Sequence, residues 1–416
     1  METFLKTIPT RVFSSLKHRN FRLFWQGQLI SLTGTWIQSM AQSWLVLALT
    51  NSAFLLGMIN AISALPILLF SLVGGLVADH MNKRNLLILT QGLSMVFALL
   101  LGIMVSFKLA NFWNIALIVS ALGVVNAFDM PCRQSFVVEM VGKDDLDNAI
   151  ALNSLIFNSA RIIGPVVAGF LVSSFGVESC FYINGISFIG VLIGLLMMKG
   201  DFSVKKSLDT NMLPGLFDGA RYVWSNKRIR SLIILVATTS IFGMSNIVLM
   251  PIFARDILMV GSRGLGVLMA FVGSGALCAG LTLAYVSQRR QRDLLVTIGG
   301  IVMSLSLICF SHSKVFIFSV AMLFMIGWGL IIQTASVNTI LQISTPDNLR
   351  GRVMSFFVLM FLGMTPIGSF FVGLLAHWFG APTAVALNGI ACLLVIILLI
   401  RPLREKGDNG RNCNTA

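Results

Sequence analysis

Charge is scarce in this sequence, and acidic charge is the scarcest. Only 11% of its 416 residues are charged, with 16 Asp and Glu against 30 Lys and Arg, while 56% are hydrophobic. An average soluble domain has about 25% charged residues, so this chain has too few polar groups to cover a globule of its length. The composition excludes an ordinary soluble protein and indicates a chain that lies within a membrane.

Residues that build metal, disulfide and nucleotide sites are also few. The four histidines are dispersed, the six cysteines contain no Cys-x-x-Cys pair, and there is no Gly-x-x-x-x-Gly-Lys-[Ser/Thr] phosphate loop. We therefore expect no metal site, no disulfide framework, no cofactor and no ATP-driven pump. A membrane-embedded lipid-modifying enzyme would need clustered histidines or acids, so it is only a distant alternative.

Long apolar sequence is what the chain has in abundance. A helix needs about 20 predominantly apolar residues to cross the hydrocarbon core, and runs of this length occur twelve times. The pattern predicts an all-α integral membrane protein with twelve transmembrane helices. The predicted spans are 23–49, 54–78, 85–106, 112–137, 149–173, 178–198, 231–254, 263–286, 294–311, 315–341, 353–376 and 383–400.

The basic residues are distributed unevenly between the predicted loops. When loops are assigned alternately to the two sides, twenty-five of the 30 Lys and Arg fall on one side, only Lys108, Arg255, Arg263 and Lys314 fall on the other, and Arg161 lies inside the fifth span. This asymmetry predicts that both termini are cytoplasmic and that the chain is a multi-pass protein of the cytoplasmic (inner) membrane. The excess of positive charge is then explained by the orientation of the chain in the membrane. We therefore expect no nucleic-acid partner.

Two apolar stretches repeat the same residues at an offset of 204 positions. The first contains Gly164, Gly169, Phe175, Gly176, Asn184 and Gly185, and the second contains Gly368, Gly373, Phe379, Gly380, Asn388 and Gly389. An internal repeat in a polytopic chain is typical of secondary transporters. We predict two pseudo-symmetric six-helix bundles at 1–198 and 231–400, a cytoplasmic linker at 199–230 that contains an amphipathic helix or a packed loop, and a disordered cytoplasmic tail at 401–416.

The loop after the second span resembles the first-loop signature of the major facilitator superfamily. Its core is Gly75 and Asp79, followed by Lys83 and Arg84. Gly75 is expected to permit close helix contact, and Asp79 to cap a neighbouring helix or pair with a cation as part of a cytoplasmic gate. The alternative is an ordinary basic loop. The matching loop of the second half has Ala284 in place of the aspartate, so the gate should be asymmetric.

The fifth span resembles the antiporter motif of drug-efflux branches of this superfamily. The matching residues are Ala160, Gly164, Pro165, Ala168 and Gly169. Residues 127–134 and 148–164 also resemble an exporter branch that includes enterobactin-type siderophore exporters and macrolide efflux proteins. The resemblance implies the major facilitator fold and a monomer that exports a small molecule by alternating access, with protons as the coupling ion. An importer or uniporter of a small organic solute is the alternative.

Three charged residues are candidates for coupling. Asp129 is the one acidic residue several positions inside an apolar span, and Arg133 follows it by one helical turn. The pair is either a proton site or a static ion pair, because Arg133 can hold Asp129 in its charged form. Arg161 lies near the middle of the fifth span, where it either binds an anionic substrate or pairs with Asp129.

A polar stripe runs along the first span, where Gln28, Ser31, Thr35, Gln38 and Gln42 recur at steps of three or four. Such a stripe cannot comfortably face lipid. It either lines a cavity or joins helices by hydrogen bonds. Further candidates for a cavity wall are Asn153, Phe157, Thr239 and Asn246.

Overall fold

The computed structural model describes residues 13–200, 221–286 and 292–404. These residues form twelve long helical segments and no strand. The helices are α1 (Arg19–Thr50), α2 (Ala53–His80), α3 (Lys83–Ser106), α4 (Phe112–Val141), α5 (Leu146–Phe175), α6 (Glu178–Leu196), α7 (Lys227–Ile257), α8 (Gly261–Tyr285), α9 (Arg292–Ser311), α10 (Phe316–Ser344), α11 (Asp347–Leu362 and Thr365–Phe379) and α12 (Ala381–Arg404).

Eleven of these segments are long and apolar enough to cross a membrane. The twelfth, α1, is a continuous helix of 32 residues, and its hydropathy is lowered by the polar stripe. Large apolar side chains on the other helices remain exposed, for example Leu117 on α4 and Ile317 on α10, as expected where lipid takes the place of water. The predicted all-α transmembrane fold is confirmed.

The chain divides into two compact units. Unit 1 comprises Met1–Leu208 with Ala254–Ala270, and unit 2 comprises Asp209–Phe253 with Phe271–Ala416. In the linker, residues 221–225 are helical, while 201–220, where most of the predicted amphipathic helix falls, lie outside the described residues. Helix α12 continues to Arg404, so the first four residues of the predicted tail are helical.

The repeated glycines allow the same close helix crossing and the same helix end in each unit. A methyl group on Gly164 in α5 would lie 2.5 Å from Trp36 Cβ in α1, and one on Gly368 in α11 would lie 2.1 Å from Ser245 Oγ in α7. Gly176 and Gly380, which end α5 and α11, have φ of 85° and 82°, a region that favours glycine. The repeat therefore preserves one helix crossing and one helix end.

The repeated asparagines also have matching partners. Asn184 Nδ2 in α6 donates to Gln38 Oε1 in α1 at 2.7 Å, and Asn388 Nδ2 in α12 donates to Asn246 Oδ1 in α7 at 2.9 Å. Both asparagines are 2% exposed. Because no water is available at such positions, each bond satisfies two amides at once and joins the last helix of a unit to its first.

Helices α7 and α11 are irregular, unlike α1 and α5, which precede them by one repeat. Helix α7 is regular only over Lys227–Thr238 and continues through π and 3₁₀ turns. Helix α11 breaks before Pro366, which cannot donate a backbone hydrogen bond. Ser240 Oγ of α7 donates to the Phe361 carbonyl beside this break at 2.6 Å. The two interruptions thus lie together within unit 2.

The residues before α1 are fastened to the turn between α4 and α5. Lys17 Nζ and His18 Nε2 lie 2.7 and 2.8 Å from Asp145 Oδ2, and Ser15 donates to Asn148 Oδ1 from both its backbone N and its Oγ. The hydrogen bonds from Lys17 and His18 lower the pKa of Asp145 well below its ordinary value. Ionised Asp145 therefore stabilises the folded state.

We predict that Asn184→Ala and Asn388→Ala each lower the thermal midpoint of the purified protein. Each change leaves a buried amide oxygen without its donor, which costs about 1–2 kcal/mol in a membrane protein. The measurement is thermal unfolding in detergent, with the exposed Asn85→Ala as control. Midpoints equal to that of the control would contradict the assigned pairing.

We predict that Asp145→Asn lowers the thermal midpoint at pH 7. Because the folded pKa of Asp145 is depressed, its contribution is complete above the ordinary carboxyl pKa of about 3.9 and is lost as the pH falls through the folded value. The gap between wild type and variant should therefore narrow in strong acid. A gap of constant size from pH 7 downward would show that the carboxylate charge is not involved.

Candidate functional site

A carboxylate is buried inside α4. Asp129 is 1% exposed. Its Oδ1 accepts hydrogen bonds from Thr90 Oγ1 at 2.9 Å and Gln91 Nε2 at 2.7 Å, both in α3. Its Oδ2 is paired with Arg133, one turn further along α4. Since burying a carboxyl group without partners is strongly unfavourable, these three donors stabilise Asp129 at this position.

Arg133 connects this carboxylate to α1. Its Nη1 donates to Gln28 Oε1 at 3.1 Å, and because a guanidinium only donates, this bond fixes which end of the Gln28 amide faces it. Among the described residues, neither Gln28 Nε2 nor Arg133 Nε has an acceptor. We name Gln28, Thr90, Gln91, Asp129 and Arg133 the Asp129 network.

A cavity of about 540 Å³ lies beside the network within unit 1. Its volume is in the range of small-molecule sites. Gln28 and Arg133 form part of its wall, together with the predicted residues Asn153 and Phe157. The remaining lining residues come from α1, α4 and α5 and are Phe24, Leu32, Gln134, Val137, Val138, Leu146, Ile150, Ser154, Ile156 and Asn158.

The polar stripe of α1 divides between two roles. Gln28 lines the cavity, whereas Gln38 is 6% exposed and bonds to Asn184, which fits the alternative of joining helices. Ser31 is buried, and Thr35 donates to its carbonyl at 3.0 Å. Ser31, Thr35, Gln38 and Gln42 are not among the residues that line this cavity.

The predicted polar residues of α7 are buried in packing contacts of unit 2. Thr239 is 1% exposed, and its Oγ1 donates to Gln333 Oε1 in α10 at 3.1 Å. Asn246 is 2% exposed and accepts from Asn388. Both residues therefore satisfy neighbouring amides in this structure.

Gln333 occupies the position in unit 2 that Asp129 occupies in unit 1. The two residues are 204 positions apart, and Val337 stands at the corresponding distance from Arg133. Gln333 is 1% exposed, so the site is as deeply buried but carries no charge. Unit 2 therefore folds with a neutral amide at this position. Packing alone does not explain why unit 1 has the Asp129–Arg133 ion pair there.

Arg161 does not pair with Asp129, the predicted alternative to an anionic ligand. It is half-buried in α5, and it makes no hydrogen bond or ion pair to any residue in the described ranges. Phe157, which lines the cavity, lies one turn earlier on the same helix and packs edge-to-face on Trp36 at 5.8 Å. An uncompensated cation thus lies next to one end of the cavity wall.

The predicted gate has different contacts from those expected. A methyl group on Gly75 would meet nothing within 4 Å, whereas one on Gly74 would lie 2.1 Å from the Ala127 carbonyl, so Gly74 is the residue that allows α2 to approach α4. Helix α3 is capped by Asn82, not by Asp79, because Asn82 immediately precedes it. Asp79 has no partner among the described residues.

The two basic residues of the gate hold other elements. Lys83 Nζ pairs with Glu139 Oε1 in α4 at 2.6 Å. Arg84 Nε and Nη2 donate to the Leu195 and Leu196 carbonyls at the end of α6, at 2.6 and 2.9 Å. Both therefore tie together helix ends within unit 1.

The antiporter-like motif packs α5 on two sides. Gly164 faces Trp36 in α1, and a methyl group on Gly169 would lie 2.6 Å from the Ser262 carbonyl at the start of α8. Ala160 and Ala168 are fully buried. Pro165 is part of the second contact, because its carbonyl lies 2.3 Å from a methyl group placed on Gly266. The small residues of the motif thus allow close backbone approach.

Sequence reasoning missed Thr90, Gln91 and Gln333. No sequence pattern identifies Thr90 and Gln91, because they lie in α3 and their contact with Asp129 in α4 joins two different helices. Gln333 could have been found, because the offset of 204 that relates the glycines also relates it to Asp129.

The profile of the transmembrane secretion effector family matches residues 10–412 of the chain. The chain belongs to this family of the major facilitator superfamily. It is therefore a multi-pass membrane transporter, which agrees with its fold and its cavity.

This transporter is similar to named bacterial proteins along nearly its whole length. The Staphyloferrin A transporter of Staphylococcus aureus is 25% identical over 411 residues, which cover 94% of this chain and 99% of the relative. The multidrug efflux pump Tap of Mycolicibacterium fortuitum is 25% identical over 386 residues, which cover 89% and 93%. Among solved structures, the nucleoside transporter NupG matches with a TM-score of 0.73 at 13% identity, covering 94% of this chain and 100% of that one; this likeness shows the fold alone.

We predict that Arg133→Gln destabilises this transporter more than the double variant Asp129→Asn/Arg133→Gln does. The single change leaves a buried carboxylate without its cation, at a cost of about 3–5 kcal/mol, whereas the double change leaves a neutral pair like that of unit 2. Thermal unfolding of wild type, both single variants and the double variant gives the coupling energy. Simple additivity of the two single effects would contradict the pairing.

Proposed function

We propose that this transporter exports a small amphipathic molecule, such as a siderophore or a drug, across the cytoplasmic membrane by alternating access in exchange for protons. It works as a monomer with both termini in the cytoplasm. Bundles at 1–198 and 231–400 form its two halves. The asymmetry of the basic loops supports this orientation, and export is supported by similarity to a relative named as an efflux pump.

The observation that carries the proposal is the buried ion pair of Asp129 and Arg133 beside the cavity. Charged residues at membrane depth usually mark substrate or proton pathways. A proton on Asp129 neutralises the carboxylate and removes its hold on Arg133. Because Arg133 orients Gln28 in the cavity wall, proton binding is thereby communicated to the site that holds the substrate.

The candidate roles of the other residues follow from their positions. Asn153 and Phe157 contribute to the substrate wall, and Asp79 with Lys83 and Arg84 forms a gate at the cytoplasmic ends of α2 and α3. Asp79 is the member of this gate without a partner in the described ranges, so it is the one available to form a contact in another state of the transport cycle.

The proposal is tested by comparing metabolites inside cells and in the medium for strains that have or lack the gene, grown with limited iron. Deletion should make at least one compound fall outside and accumulate inside, and the wild-type gene should reverse this. Asp129→Asn should restore less than about a tenth of the export, as expected when a proton-transfer group is removed.

Two outcomes would contradict the proposal. An extracellular solute that goes unconsumed in the deletion strain would make the protein an importer. Full export by Asp129→Asn, still abolished by a protonophore, would place proton coupling at another residue. The exposed Asp347→Asn variant in unit 2 is the matched control for the loss of one carboxylate.

A further inference from the structure

Two buried hydrogen-bond donors on side chains that line the unit 1 cavity have no acceptor among the described residues. They are Gln28 Nε2 and Arg133 Nε, and both belong to side chains that line the cavity. Gln28 is 3% exposed, and its amide is held by the bond from Arg133 to its oxygen. The free end of the amide is therefore fixed as a donor, because the acceptor end is already in use.

A buried donor without a protein partner costs free energy. A missing partner costs about 1–3 kcal/mol for a neutral group and more for a charged one. A ligand that supplies oxygen acceptors recovers this cost, and an anionic oxygen recovers most because hydrogen bonds between charged groups are the strongest. The wall thus selects for acceptors and against further donors.

The charges around the cavity favour the same ligand. Among its lining residues only Arg133 is charged and none is acidic. Asp129 is compensated by Arg133, whereas Arg161, one turn beyond Phe157 on α5, is uncompensated within the described residues. The lining residues themselves thus carry positive charge and no negative charge, which opposes a cationic ligand and attracts an anionic one.

The rest of the wall is apolar and aromatic. Phe24, Leu32, Val137, Ile150 and Phe157 line the cavity. Such a wall buries a hydrophobic body while a few fixed polar groups determine its orientation. The cavity therefore combines an apolar wall with one polar region at Gln28 and Arg133.

We infer that the transported molecule is an amphipathic organic anion whose oxygen atoms accept hydrogen bonds from Gln28 Nε2 and Arg133 Nε, once a small rotation of these side chains brings the two buried donors to the cavity surface. This inference rests on the proposed function only in taking the bound molecule to be the exported one. The ligand uses Nε of Arg133, so Nη2 remains paired with Asp129 while it binds. Gln28 and Arg133 then determine specificity, and Asp129 acts through Arg133.

The test is equilibrium dialysis of the purified full chain in nanodiscs of zwitterionic lipid, with empty nanodiscs as the blank. The probes are 2-naphthoate, 2-naphthamide and 2-naphthylmethylammonium, which share one apolar body and differ in the polar group. We expect 2-naphthoate to bind at least tenfold more tightly than 2-naphthylmethylammonium, with 2-naphthamide between them.

Gln28→Glu is the decisive variant. It replaces the free donor with an acceptor, keeps the size of the side chain and preserves the contact with Arg133, so the fold should survive. We expect 2-naphthoate binding to weaken at least tenfold. Arg133→Lys keeps the positive charge but removes Nε, and should weaken it as well. Gln26→Glu, at an exposed position on the same helix, should leave binding unchanged.

Equal binding of the anion and the cation by wild type would overturn the inference, and so would an unchanged preference for 2-naphthoate in both Gln28→Glu and Arg133→Lys. These measurements use no gradient. A failed export assay with an intact anion preference would therefore count against the proposed function alone, and normal export without this preference would count against the inference alone.

Discussion

The structure depends on the constraint that polar groups inside a membrane protein must be satisfied by other parts of the protein. Each unit meets this constraint with amides placed where helices cross, as in the pairs formed by Asn184 with Gln38 and by Asn388 with Asn246. Unit 1 also buries a charge, which Arg133, Thr90 and Gln91 together compensate. The amide pairs thus join helices in both units, whereas the Asp129 network joins helices in unit 1 and also contributes Gln28 and Arg133 to the cavity wall.

Some structural features occur in both units and others in only one, and those that occur in both are the ones that folding of a unit requires. Glycines at helix crossings and helix ends recur in both units, and so do the asparagines. The ion pair does not recur, because unit 2 has Gln333 and Val337 at the corresponding positions. Conversely, the irregular turns of α7 at Thr239–Leu249 and the break in α11 lie in unit 2, and the corresponding helices α1 and α5 of unit 1 are continuous. The two halves thus differ in the buried ion pair of α4 and in the backbone regularity of their first and fifth helices.

Helix number, the repeat and the burial of Asp129 could be predicted from sequence because they depend on local composition and spacing. The partners could not, since a contact such as Gln91 with Asp129 joins helices whose relative rotation is set by packing. The adjacent glycines 74 and 75 show this well: a helical step of about 100° decides that Gly74 meets α4 and Gly75 meets nothing. Asp79 followed the family pattern in sequence, yet Asn82 caps α3.

We propose that the Asp129–Arg133 pair serves transport and is not required for packing. The most direct test is the export rate of the neutral double variant Asp129→Asn/Arg133→Gln in cells that accumulate it to wild-type levels with a thermal midpoint close to wild type. We expect a folded protein that exports less than about a tenth of the wild-type amount. Export at the wild-type rate would show that the ion pair is only structural.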